Sequence, residues 1–211
     1  LGAGYQLASH DMEIRGAGEL LGAEQSGQIH QVGFSLYLSM LESAVAALRR
    51  GDIPDIDQPL DTGTEVKLHV PALIPDDYLP DISTRLVLYK RIAQAHSAEN
   101  LRDIQVEMID RFGLLPEATK QLFIQAEIRL RAQALGISEV DVGVAGGSVK
   151  FESTTPVPVN ALIGLLQSNP KEFKLAGSDT LRFIRDLESG EARRNYIDKL
   201  MTQWEEACKN S

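Results

Sequence analysis

Two hydrophobic periodicities follow one another along residues 65–211, and their order constrains the fold more than any other feature of the chain. Apolar residues recur every three or four positions, as in helices, within residues 82–93, 97–111 and 191–209. They recur at every second position, as in strands, in residues 65–70 and on both sides of two glycine-containing turns. Because hairpins and helices are mixed, without regular alternation of single strands and helices, the pattern predicts an α+β fold.

Capping and turn residues predict where these elements begin and end. Asp81 or Ser83 is expected to cap the first helix, and Ser97 is expected to cap the second. Pro116 suits the first turn of a third helix, which Gly136 is expected to end. The remaining expected features are an end to the first strand at Pro71, a first hairpin turn at Gly146-Gly147, a short helix from Val159 to Gln167, and a second hairpin turn at Gly177-Ser178-Asp179.

The composition changes three times along the chain and predicts four parts. Residues 1–31 are rich in glycine, which indicates close backbone approaches rather than a regular element. Residues 32–51 have a helical period and end in two arginines and a glycine, as a connecting helix would. Residues 52–64 are rich in Asp, Pro, Gly and Thr and are interpreted as a linker, so that residues 65–211 form a separate C-terminal domain.

The charge of the chain argues against a non-specific grip on nucleic acid. The net charge is −9, of which residues 1–51 contribute −2 and residues 52–211 contribute −7. Binding to the phosphate backbone requires clustered Lys and Arg, so the later part suits a basic protein surface better than DNA. The apolar run at residues 161–166 is too short to cross a bilayer, and the single cysteine, Cys208, fits a reducing compartment. We therefore expect a cytoplasmic protein without a membrane contact.

No catalytic, metal or cofactor site is expected from the residues themselves. The glycines of residues 16–22 do not have the spacing of a dinucleotide fingerprint, and no Gly-x-x-x-x-Gly-Lys-Ser/Thr phosphate loop occurs in the chain. His10, Asp11 and Glu13 are close in sequence, but an extended segment would point His10 and Asp11 to opposite sides. Enzymatic activity is thus not expected of this chain alone.

Two groups of residues are the candidates for function. Arg15 lies among glycines, and Gln25 follows ten residues later, so a guanidinium and an amide could complete one hydrogen-bonded network. Glu107, Asp110 and Arg111 are spaced to lie on one side of a helix whose other side is apolar. That side is interpreted either as the solvated end of a helix or as an acidic docking face for a basic partner.

Several stretches resemble the bacterial transcription-repair coupling factor. Residues 10–27, which read His-Asp-Met-Glu-Ile-Arg-Gly-Ala-Gly-Glu-Leu-Leu-Gly and then Gln-Ser-Gly, look like the translocation motif shared by that family and the helicase RecG. Pro75-Asp76-Asp77-Tyr78, residues 86–92 and Ile109-Asp110-Arg111-Phe112-Gly113 resemble the coupling factor and not RecG. The resemblance extends over essentially the whole chain, to the helix that contains Trp204.

The resemblance implies a parent protein that uses ATP and Mg to move on double-stranded DNA, displaces stalled RNA polymerase and recruits UvrA. It implies that Arg15 and Gln25 couple ATP-driven motion to translocation. It also implies that the C-terminal domain is autoinhibitory: through Glu107 and Asp110, with Arg111 alongside, it would cover the N-terminal repair-homology domain that binds UvrA. The alternative is a stand-alone DNA-binding module of a RecG-type helicase.

Overall fold

The structure, a computed structural model, describes residues 63–210. The predictions for residues 1–31 and 32–51, and for the linker up to residue 62, lie outside this range. The α+β class predicted from the periodicities is confirmed. The elements are β1 (Glu65–Lys67), α1 (Ile82–Ala93), α2 (Ala98–Phe112), α3 (Glu117–Ala134), β2 (Ile137–Gly143), β3 (Gly146–Phe151), α4 (Val159–Ser168), β4 (Phe173–Ala176), β5 (Thr180–Ile184) and α5 (Gly190–Lys209).

The five strands form one mixed sheet in the order β1-β2-β3-β5-β4. Both predicted hairpins are present, as the antiparallel pairs β2–β3 and β4–β5, and β3 also pairs antiparallel with β5. The pair β1–β2 is parallel, with Val66 opposite Val140, and α1, α2 and α3 connect the two strands. This parallel pair could not be predicted from the sequence, because a three-residue strand carries no local signal of a partner more than seventy residues away.

One face of the sheet is covered and the other is open within the described part of the chain. The inner face and the helices α3, α4 and α5 share one apolar core. Its fully buried members include Val140 and Leu181 from the sheet and Met201 and Trp204 from α5. Since side chains alternate along a strand, the residues between the core positions point to the outer face, and these are mostly polar.

A second apolar core lies between α1, α2 and α3. It includes Leu88 and Ile92 of α1, Leu101 and Met108 of α2, and Phe123 of α3. As α3 also contributes to the core under the sheet, it joins the helical layer to the sheet. This packing directs one side of α2 inward and leaves its opposite side at the protein surface.

Two predicted boundaries are wrong, and both have a backbone cause. The first strand ends at Lys67 rather than at Pro71, because His69 takes a left-handed conformation with φ of 50° that breaks the extended chain. The turn of the first hairpin is Val144-Ala145, and Gly146 and Gly147 belong to β3. A Cβ on Gly147 would lie 2.2 Å from the carbonyl oxygen of Asp141, so this glycine permits close strand approach instead of a turn.

The capping predictions are confirmed where a side chain or a glycine forms the cap. Asp81, rather than Ser83, accepts a hydrogen bond from the N–H of Thr84 at the start of α1. Ser97 does the same for α2, and Gly136 follows the end of α3 with φ of 60°. These residues fix where α1 and α2 begin and where α3 ends.

Candidate interdomain contact face

The side chain of Glu107 joins two helices at the surface. Its Oε2 lies 2.7 Å from Nη2 of Arg91, which belongs to α1, and its Oε1 lies 2.7 Å from Nη1 of Arg111, one turn further along α2. The second pair has the i,i+4 spacing that places side chains next to each other on a helix. Both oxygens of one carboxylate are therefore held by arginines of the same domain.

These arginines control the ionisation of Glu107. Hydrogen bonds from Arg91 and then from Arg111 lower the pKa of Glu107 from 4.5 to about 2. The hydrogen bond to Glu107 in turn raises the pKa of Arg91. The carboxylate is thus fully charged at neutral pH, and a partner does not need to ionise it.

Arg91, Glu107, Asp110 and Arg111 form a charged face, called here the Glu107 face. The side chain of Glu107 is 32% exposed and that of Arg111 is 51% exposed, and Asp110 is also exposed. Asp110 forms no ion pair with another residue of the described range. Two anions and two cations share this surface, so the face is of mixed charge, whereas the sequence analysis expected an acidic one. The expectation overlooked Arg91, which comes from a different helix.

Aromatic contacts hold the last turn of α2, to which Arg111 belongs. The guanidinium of Arg111 lies 4.8 Å from the ring centroid of Phe112, and the ring of Tyr78 meets Phe112 edge to face at 6.3 Å. The hydroxyl of Tyr78 donates to the carbonyl oxygen of Gly113 at 2.9 Å. Gly113 has φ of 90°, which ends the helix. The loop before α1 thereby orients one end of the Glu107 face.

The membership of Arg91 in the Glu107 face, and the contact of Tyr78 with the end of α2, could not be predicted from the sequence. Both lie in stretches that resemble the coupling factor, but their spacing from Glu107 is not a helical repeat, so no periodicity could connect them. The other candidates, Arg15 and Gln25, lie outside the described residues. Within residues 63–210 no group of three or more metal-ligating side chains occurs, and no helix is long and apolar enough to cross a membrane.

The chain is similar in sequence to proteins of known family. The TRCF domain family model matches residues 68–162. The transcription-repair-coupling factor of Escherichia coli K12 is 47% identical over 206 residues, 98% of this chain, and that of Haemophilus influenzae is 45% identical over 201 residues, 95% of this chain. The chain spans 18% of the length of each of these two relatives.

A solved structure agrees in fold. The crystal structure of the C-terminal domain of a transcription-repair coupling factor superposes with a TM-score of 0.53, covering 68% of this chain and 95% of that domain at 22% sequence identity. The similarity supports the mixed sheet and its helices independently of the sequence matches. The chain therefore belongs to the transcription-repair-coupling factor family and has the fold of that family's C-terminal domain.

Proposed function

We propose that this chain is the C-terminal region of an ATP-dependent DNA translocase that displaces stalled RNA polymerase and recruits UvrA. Residues 65–211 serve in it as a non-catalytic, autoinhibitory module that covers the UvrA-binding, N-terminal repair-homology domain of the same protein. The names of the relatives support the general role, because they are transcription-repair-coupling factors. In this proposal ATP and Mg bind elsewhere in the parent protein, and Arg15 and Gln25 couple their use to movement on double-stranded DNA.

The observation that carries the proposal is the exposure of the Glu107 face. Its charges are at the surface while the apolar side of α2, with Leu101, Ile104 and Met108, is buried in the domain. The Glu107 face can therefore contact another domain without any rearrangement of the core of its own domain. Such a face can be covered and uncovered without unfolding α2.

The ion pairs also determine how strong the contact can be. A basic patch on the repair-homology domain would replace Arg91 or Arg111 as a partner of Glu107, so an existing ion pair is exchanged rather than added. Asp110, which has no ion pair within the described range, supplies an additional carboxylate. Exposed ion pairs contribute about 0–1 kcal/mol each, so the net gain is small.

A weak contact is what autoinhibition requires. A second ligand can shift an equilibrium between covered and uncovered states only by its difference in affinity for the two. A contact between the Glu107 face and the repair-homology domain that contributes about 1–3 kcal/mol lies within the range of coupling free energies found between protein sites. Engagement of RNA polymerase would then be sufficient to release the repair-homology domain for UvrA.

Charge reversal in the full-length protein tests the proposal. Glu107→Lys with Asp110→Lys should increase capture of UvrA by the resting protein, because both carboxylates become lysines and four cations would then face the basic patch. Asp186→Lys with Glu206→Lys is the matched control, since both are exposed and neither forms an ion pair within the described part of the chain. Equal capture by the wild type and both double variants would refute the masking role.

A further inference from the structure

Strand β4 forms one edge of the sheet, and its outward backbone groups can be identified from the hydrogen bonding. The N–H of Ile184 donates to the carbonyl oxygen of Glu172 at 2.9 Å, which marks these residues as a bonded pair. Bonded and non-bonded pairs alternate in antiparallel strands, so Lys174 and Ala176 bond to β5, and Phe173 and Leu175 turn their backbone groups away from it. The N–H of Phe173 donates to Asn169. Leu175 thus offers both a donor and an acceptor at the sheet edge.

The outer face next to this edge is basic. Lys174 lies directly opposite Arg182 of β5, and Lys150 of β3 lies opposite Thr180, two residues from Arg182. All three cations are exposed, and none forms an ion pair within residues 63–210. Like charges directly opposite each other destabilise a sheet, so an anion placed between Lys174 and Arg182 would relieve a repulsion. This surface is positively charged, whereas the chain as a whole has a net charge of −9.

The inner side of the same edge is apolar. Leu175 pairs opposite the buried Leu181, so it points to the inner face, yet it is 50% exposed. The neighbouring α4 packs against β4, contains no charged residue and has no fully buried side chain. Val159 and Ile163, one turn apart on α4, are 68% and 41% exposed. An extended segment beside β4 would therefore meet cations on its outer side and the exposed side chain of Leu175 on its inner side.

We propose that β4 is a docking edge for an extended segment of a partner protein in which acidic and aliphatic residues alternate. The segment pairs with the outward N–H and C=O of Leu175, as in β-strand addition. Since its side chains alternate between faces, carboxylates meet Lys174 and Arg182 while aliphatic groups contact Leu175 and α4. Acidic and aliphatic residues must alternate in the segment because the sheet is basic on its outer face and apolar on its inner face at this edge. This surface is separate from the Glu107 face.

An alternative explanation is that β4 is only protected against unwanted pairing with the sheets of other molecules. Short edge strands that carry lysine resist such edge-to-edge pairing, and β4 is short and contains Lys174. Protection alone, however, accounts neither for the apolar exposure of Leu175 nor for two further cations on the neighbouring strands. A polyanion such as DNA also matches the basic charge, but it has no aliphatic groups to place against the exposed Leu175.

The test uses the 211-residue chain labelled with ¹⁵N and the acetylated peptide Glu-Val-Glu-Val-Glu-Val. We expect saturable NMR shifts of the amides of residues 173–176. The isomer Glu-Glu-Glu-Val-Val-Val has the same charge and composition, and it should bind about tenfold more weakly, because its carboxylates cannot all face the cations. No shift in β4, or equal binding of the two isomers, would overturn the proposal.

Two variant pairs separate backbone pairing from charge. Leu175→Pro removes the outward N–H without removing a bond to β5, so it should weaken binding about fivefold relative to Leu175→Ala, the value of one hydrogen bond. Lys174→Glu with Arg182→Glu should abolish binding, whereas Arg102→Glu with Arg194→Glu, of equal charge change, should not. Unchanged binding after Leu175→Pro, or preferential binding of duplex DNA at the same amides, would contradict strand addition by a peptide.

Discussion

Replacement of Glu107 by Gln tests most sharply whether the ion pairs of the Glu107 face are needed for the stability of the domain or are available for a contact with another domain. The substitution keeps the size of the side chain and removes its charge, so both ion pairs, to Arg91 and to Arg111, are lost. Each is an exposed pair that contributes about 0–1 kcal/mol. We therefore expect the free energy of unfolding of the 211-residue chain to fall by only about 1 kcal/mol at neutral pH.

The pH dependence has a definite sign. The pKa of Glu107 is depressed from 4.5 to about 2 in the folded protein, so its stabilising effect is fully present above pH 4.5 and is lost as the pH falls towards 2. Gln cannot titrate, so the stability difference between the wild type and Glu107→Gln should shrink in this window. Other carboxylates titrate equally in both proteins and cancel in the comparison.

Urea denaturation followed by circular dichroism at pH 7, 4 and 3 measures this difference. Asp110→Asn is the control, because Asp110 has no ion pair within the described residues, and it should change stability by less than about 0.5 kcal/mol. A loss above about 3 kcal/mol for Glu107→Gln would mean that the pairs behave as a buried network. A difference that does not depend on pH would show that the arginines do not hold this carboxylate.

Three further predictions concern the core and the sheet, each measured by urea denaturation of the same chain. Trp204→Ala should cost about 3–5 kcal/mol, because the buried indole packs edge to face on a phenylalanine ring; a loss under 1 kcal/mol would contradict this burial. Arg193→Ala should cost more than about 3 kcal/mol, since its buried guanidinium donates to four backbone carbonyls; a neutral effect would refute that network. Gly147→Ala should cost about 1–3 kcal/mol because its Cβ would meet the carbonyl oxygen of Asp141. Gly164→Ala is the control: the space around Gly164 on α4 is open, so this substitution should stabilise the chain by up to about 1 kcal/mol. The reverse order of stabilities would contradict the close contact between β3 and β2.

Local signals predicted the parts of the fold that depend on neighbouring residues. Asp81 and Ser97 form helix caps because a short polar side chain can reach a free backbone N–H three residues later. Gly136 ends α3 because a left-handed residue is needed there. Such interactions are contained within a few positions of sequence and can be recognised without knowledge of the tertiary structure.

Features that depend on distant partners could not be predicted in this way. The parallel pairing of β1 with β2 and the ion pair between Arg91 and Glu107 both require the arrangement of α1, α2 and α3. The first hairpin turn was misplaced because Gly146 and Gly147 resemble turn residues, although their role is to let backbones approach. The spacing of Glu107, Asp110 and Arg111 correctly indicated one exposed side of α2, but not the cation that it shares with α1.

Whether the Glu107 face is covered in the parent protein can be measured directly by chemical labelling of carboxylates. A water-soluble carbodiimide with an amine, followed by mass spectrometry, reports the reactivity of Asp110 and Glu107 in the 211-residue chain and in the resting full-length protein. We predict that Asp110 reacts in the isolated chain, is protected in the resting protein and becomes reactive again when RNA polymerase is engaged, while Asp186 reacts equally in all three states. Equal reactivity of Asp110 in the isolated chain and the resting protein would contradict the proposed masking.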